Sequence, residues 1–239
     1  MSARGVLYNL IMTELFQYKT AKDAISAAAD YLVKQLEDSQ GNVLLLLSGG
    51  SSLNPVREAF KRLKDETVSR LHIGQIDERY EANGELNNWR QIEEAIGGKL
   101  KRCAGLLAML SDGDEPDDAA IAYEMELRAL LETADEVVGV YGVGEGGSLG
   151  GMLAVKEPQD FTHFLDGRMV VAYQTADNTR ITTTAALLGR LDEAIVFAHG
   201  PAKVKAVERI NKELPSHRHP AQLLKDAKRA SLFVSEELA

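Results

Sequence analysis

Apolar positions along the chain follow two rhythms, and the switches between them mark out strands and helices. Between Lys19 and Glu37, residues Ala24, Ile25, Ala28, Leu32 and Leu36 recur at helical spacing, which predicts an amphipathic helix. The run NVLLLL, Asn42–Leu47, is continuously apolar after its first residue and ends in Ser and Gly. That is the pattern of a strand buried on both faces. NPVREAFKRLKDE then predicts a helix, with Asn54 as its cap and Pro55 in its first turn. LHIGQI (Leu71–Ile76) predicts the next strand and NNWRQIEEAI the next helix. Pro116–Glu132 predicts a strong helix, with two Asp residues beside its N-terminal dipole. Strands follow at Glu136–Val143, Met169–Gln174 and Ala194–His199. TTTAALLGRL and PAKVKAVERINKEL predict helices, and HPAQLLKDAKRASLFVSEELA a short helix and a last strand.

Strands alternating with helices imply a Rossmann-like α/β fold, a mostly parallel sheet with helices on both faces. With no repeat or linker in view, residues 1–239 are expected to form a single domain. The N-terminal MSARGVLYNLIMTELFQ has a broken apolar stretch and is expected to be an edge strand or helix, not a signal peptide. No segment reaches the roughly 20 apolar residues of a membrane span. A net charge of −9 disfavours a nucleic-acid partner, because phosphate backbones need a basic surface. It does not exclude a small phosphorylated ligand, for which a few cations and backbone N–H groups suffice. The single Cys103 precludes an internal disulfide and fits a reducing, cytoplasmic setting.

GVYGVGEGGSLGGML contains Gly142-x-Gly144-x-x-Gly147, the glycine spacing of a dinucleotide fingerprint. Its context fails. A pyrophosphate site needs a long helix after the glycines and a second strand ending in an acid. Here Gly150 and Gly151 disfavour the helix, and Asp160 and Asp166 precede the next strand.

Four other sites fit an anion better. LLSGGSSLNPV runs from a strand through Ser48, Gly49, Gly50, Ser51 and Ser52 into a helix, where backbone N–H groups, hydroxyls and the helix N-terminus converge. IDERYEANGELNN places Asp77 at the end of a strand, with Arg79 expected to orient a carboxylate. NTRITTTAA puts Arg180 just before a predicted helix, and AHGPAKVKAV puts Lys203 in a helix's first turn. Cations are disfavoured at helix N-termini, so both suggest a nearby anion.

In this order the sites resemble the 6-phosphogluconolactonase and glucosamine-6-phosphate isomerase/deaminase family, from about Val43 to Leu224. LSGGSS is similar to its phosphate loop, DERY with Asn88 to its Asp-Glu-Arg segment, and RITTT, GPAK and HPAQLL to three further segments. DERY and GPAK resemble the lactonase branch more. The resemblance implies a sugar 6-phosphate held by Ser48, Gly49, Gly50, Ser51 and Ser52 with Arg180 and Lys203. Asp77, Arg79 and Asn88 would shape the pocket, with Gly144 and Ser148 facing the reacting carbon. It implies hydrolysis of 6-phosphogluconolactone in the pentose phosphate pathway, without cofactor or metal, by a monomer or small homo-oligomer.

The family's Gly-x-Gly-x-Asp-Gly-His loop is degenerate here: Gly146 stands for the Asp and Ser148 for the His expected as general base. Serine has no basic form near neutral pH. Glu145, Asp77 and His163 are the candidate substitutes. Slower hydrolysis through positioning alone, a sugar-phosphate binder without catalysis, and an isomerase or deaminase acting on another sugar 6-phosphate are the other readings.

Overall fold

A computed structural model of the protein describes residues 12–80, 87–110 and 115–237. The strands are β1 (Met12–Tyr18), β2 (Val43–Leu47), β3 (Leu71–Gln75), β4 (Asp77–Arg79), β5 (Gly105–Leu107), β6 (Glu136–Gly142), β7 (Val170–Gln174), β8 (Thr179–Thr183), β9 (Glu193–His199) and β10 (Arg229–Ser235). The helices are α1 (Ala21–Asp38), α2 (Leu53–Arg62), α3 (Asp65–Val68), α4 (Asn88–Ile96), α5 (Pro116–Thr133), α6 (Ala185–Leu188) and α7 (Pro201–Glu208).

Seven strands form one parallel sheet in the order β1-β10-β9-β6-β2-β3-β5. This is the expected mostly parallel α/β fold, and β2 shows why the apolar runs predicted it. All five of its residues are fully buried. Val43, Leu45 and Leu47 pack on one face with Ala28, Leu32, Val56 and Ile92 from α1, α2 and α4. Leu44 and Leu46 pack on the other with Tyr123 and Leu127 of α5 and Val204 and Val207 of α7. With side chains alternating across a strand, only an unbroken apolar run satisfies both faces.

The structure adds α3, β4 and β5, which the apolar pattern did not predict, and departs from the expectation elsewhere too. The helix expected over TTTAALLGRL begins as β8 and retains only the four-residue α6. β8 lies between β4 and β7 in a separate three-stranded antiparallel sheet, so Met169–Gln174 does not join the main sheet. Asn54 lies inside α2, where its Oδ1 accepts from Arg57, and Ser52 precedes the helix. The N-terminal segment contributes β1 at the edge of the main sheet; residues 1–11 lie outside the described residues. Among the described residues no helix is long and apolar enough to cross a membrane.

Ile76 joins the two sheets. Its N–H donates to the Leu47 carbonyl at 2.9 Å, and its carbonyl accepts from Thr183 N–H at 2.8 Å. The small sheet is thereby held against the carboxyl ends of β2 and β3, and a cavity opens there.

Candidate functional site

The cavity, of about 400 Å³, lies over the carboxyl ends of β2, β3, β6 and β9. Ligands of open α/β sheets bind at this end, where loops and helix N-termini supply polar groups. Three segments expected to meet do meet: Ser48, Gly49, Gly50 and Ser51 after β2, Asp77, Arg79 and Asn88 after β3, and Gly144, Glu145 and Ser148 after β6. Arg180 from β8 and Lys203 from the first turn of α7 complete the lining.

The first loop is shaped by its neighbours. A methyl group on Gly49 would overlap the carboxamide oxygen of Asn88, so glycine lets α4 approach the loop. Gly50 N–H donates to Gln91 Oε1 at 2.7 Å. Ser52 departs from its expected part. It is buried, its Oγ donates towards the Ser48 and Gly49 carbonyls at 3.1 and 2.8 Å, and it does not line the cavity. It braces the turn.

Asp77 is 5% exposed and held on several sides. Ser48 Oγ donates to its Oδ1 at 3.1 Å, and Asn88 Nδ2 to its Oδ2 at 3.2 Å. Arg180 Nη1 stands 3.7 Å from Oδ2. Burial pushes the Asp77 carboxyl above its ordinary value, against the opposing pull of Arg180, the Ser48 hydroxyl, Arg79 and Asn88. The ion partner of Asp77 is thus Arg180, while Arg79 donates to the Asn88 carboxamide oxygen at 3.1 Å. Glu78, between them, is an anchor: it accepts from Gln75 Nε2 and from the N–H groups of Arg79, Asn88 and Trp89 at 2.8–2.9 Å. A buried carboxylate so placed satisfies the first donors of α4 and complements its dipole.

The loop after β6 is no dinucleotide turn. No helix follows the glycines; the chain folds back through antiparallel bridges, Val143 with Leu149 and Leu149 with Met152. Gly144 N–H donates to the Ser148 carbonyl at 2.9 Å, and Ser148 Oγ accepts from Ala154 N–H at 3.1 Å. Glu145 and Gly146 are exposed at the cavity mouth. Gly147 has φ +84°, and the buried His219 ring lies where its Cβ would be. His163 does not line the cavity: its ring packs at a tilt against Phe164 and Tyr173, 3.9 and 5.2 Å away between centroids, and burial lowers its pKa.

Sequence reasoning missed Gln91, which lines the cavity one turn beyond Asn88 on the same face of α4. The i, i+3 spacing of two carboxamides in a helix's first turns was the available signal. No group of three or more His, Cys, Asp or Glu side chains that could hold a metal occurs among the described residues.

Fold and site together define a parallel α/β protein with a polar, cation-rich cavity at the carboxyl edge of its sheet. The chain belongs to the family of glucosamine-6-phosphate isomerases/6-phosphogluconolactonase, whose model matches residues 19–233. Similar solved structures include the 6-phosphogluconolactonase of Thermotoga maritima, with TM-score 0.73 and 18% identity over 93% of this chain and 99% of that one. That of Plasmodium vivax has TM-score 0.76 and 16% identity over 92% and 89%. A monomeric glucosamine-6-phosphate deaminase has TM-score 0.70 and 14% identity over 94% and 98%. At these identities the likeness is one of fold. No curated protein gives a significant match to the chain.

Proposed function

We propose that the protein binds a sugar 6-phosphate in this cavity and hydrolyses 6-phosphogluconolactone to 6-phosphogluconate. The observation that carries the reading is the gathering of Arg79, Arg180 and Lys203 around a glycine loop on a chain of net charge −9. Among the described residues the lining carries three cations beside the carboxylates of Asp77 and Glu145, on a protein that is acidic as a whole, which favours a phosphorylated ligand. Ser48, Gly49, Gly50 and Ser51 hold the phosphate with Arg180 and Lys203, and Asp77, Arg79 and Asn88 shape the pocket beside them. Residues 1–239 act as one domain, in the cytoplasm, in the pentose phosphate pathway.

The base for the attacking water is Glu145. Of the three candidates, Asp77 is engaged by Ser48, Asn88 and Arg180, and His163 is outside the cavity. Glu145 takes the proton of the water as its oxygen adds to the lactone carbonyl. The tetrahedral adduct then collapses, the ring C–O bond breaks, and the released alkoxide takes the proton held by Glu145, which restores the base. A second reading, binding without hydrolysis, is favoured by Gly146 and Ser148, which leave the loop with Glu145 as its one titratable side chain.

A hydrolysis assay on 6-phosphogluconolactone, paired with thermal shift against 6-phosphogluconate, separates the readings. Hydrolysis above the spontaneous rate that falls in E145Q and K203A supports the enzyme. A stabilising shift without hydrolysis supports the binder. Neither response removes the sugar-phosphate reading.

A further inference from the structure

The turn that carries Glu145 is supported from behind by a segment far along the chain. Within the turn, Gly144 N–H donates to the Ser148 carbonyl at 2.9 Å and Gly147 N–H to the Gly144 carbonyl at 2.8 Å. These bonds close the turn on itself, whereas residues 217–221 fasten it to the rest of the protein. Ala221 N–H donates to the Gly147 carbonyl at 2.8 Å, and the His217 carbonyl accepts from Val155 N–H, also at 2.8 Å. Between these two bonds the His219 ring, 2% exposed, occupies the space that a side chain on Gly147 would take.

The same segment is fastened on its other side to α7, the helix that carries Lys203. Gln222 Nε2 donates to the Arg209 carbonyl, just past the end of that helix, at 2.8 Å, and Gln222 N–H to the His219 carbonyl at 2.9 Å. Burial holds the pKa of the His219 ring below its ordinary value, against the pull of the Ala206 backbone, one turn along α7 from Lys203. Arg209 and Lys225 push the same way as burial. The ring is therefore uncharged at neutral pH and packs as a wedge between α7 and the turn.

We propose that His219 is a positioning residue for the lactone hydrolysis: its ring sets the place of the turn 144–147 and so holds Glu145 at the cavity mouth in fixed relation to Lys203. It does not line the cavity, and it acts through the turn alone. The inference rests on the assignment of Glu145 as the base. A base must lie within hydrogen-bond reach of the water it deprotonates, and a misplacement of about 1 Å can cost as much as 10²-fold in rate. Gly144, Gly146 and Gly147 give the turn little stiffness of its own, so its position is imposed from outside.

The test compares wild type with H219A, H219V and H219L by kinetics on 6-phosphogluconolactone, calorimetric Kd for 6-phosphogluconate, and amide hydrogen exchange of the segment 142–155, with Tm as a check on folding. H219A leaves nothing behind Gly147 and is expected to lose about 10- to 100-fold in kcat. Its Kd should change by less than about threefold, because Arg180 and Lys203 are untouched. Exchange in 142–155 should rise about 10-fold or more. H219L refills the space and is expected to recover most of the rate and of the protection. H219V falls between them, and carries the test should H219A fail to fold. His219 has no such part if the folded variants hydrolyse as wild type does, or if kcat and affinity fall together; the hydrolysis reading then stands alone. If the wild type does not hydrolyse the lactone, the reading of Glu145 as base falls, and unchanged exchange in H219A would overturn the support of the turn as well.

Discussion

Arg79 and Arg180 lie directly opposite each other across the β4–β8 ladder. Like charges at that position repel and destabilise a sheet. Asp77, two residues before Arg79 and so on the same face of β4, stands 3.7 Å from the Arg180 guanidinium and offsets part of the repulsion. Both arginines line the cavity beside Asp77.

The first prediction concerns Arg180. R180A is expected to weaken 6-phosphogluconate binding about 10- to 100-fold, the usual loss for one hydrogen bond to a charged group. R180K, which keeps the charge but loses the planar fork, is expected to fall between R180A and wild type. Calorimetric titration of the three proteins at fixed salt decides it.

Asp77 gives a pH dependence of known sign. Its carboxyl is raised above its ordinary 3.8 in the folded protein, chiefly by burial. A raised carboxyl contributes stability that is fully present below the unfolded value and lost as pH rises through the folded one. D77N removes the titration while keeping the shape. Its Tm is expected to exceed that of wild type near neutral pH, with the gap closing as pH falls through the raised folded value towards 3.8 and gone below about 4. A Tm series across pH for both proteins would contradict this if the gap were constant.

The adjacent glycines of the second loop are expected to respond in opposite ways. G147A forces a side chain onto φ +84° and into the His219 ring, and should cost about 2 kcal/mol or more in urea denaturation. G146A meets no atom within 4 Å and has no left-handed backbone, so its midpoint should stay close to that of wild type.

The same open space lets the loop be rebuilt. G146D/S148H places an acid and an imidazole where the family pattern has them, at the loss of the Ser148 bond to Ala154 N–H. If Glu145 is a weak substitute base, hydrolysis should rise by roughly 10²–10⁴-fold, the usual worth of general-base catalysis. An unchanged rate in a folded double variant would mean that the base is not what limits the reaction.

What the sequence determined by itself was the α/β class, the placing of most elements and the identity of the glycine loops. The reason is local: strands buried on both faces must be continuous apolar runs, as in Val43–Leu47, and helices must carry apolar residues at helical spacing. The same logic hid β4, whose residues Asp77, Glu78 and Arg79 have no apolar signal. Their strand exists because β8 pairs with them and because Glu78 is buried against the first N–H groups of α4. Only the tertiary structure decided that Arg180 sits on a strand opposite Arg79, that Gln91 reaches Gly50, and that His219 fills the space behind Gly147. Each of these is a contact between segments far apart in sequence or on different elements, set by how sheets and helices pack, and no local pattern encodes it.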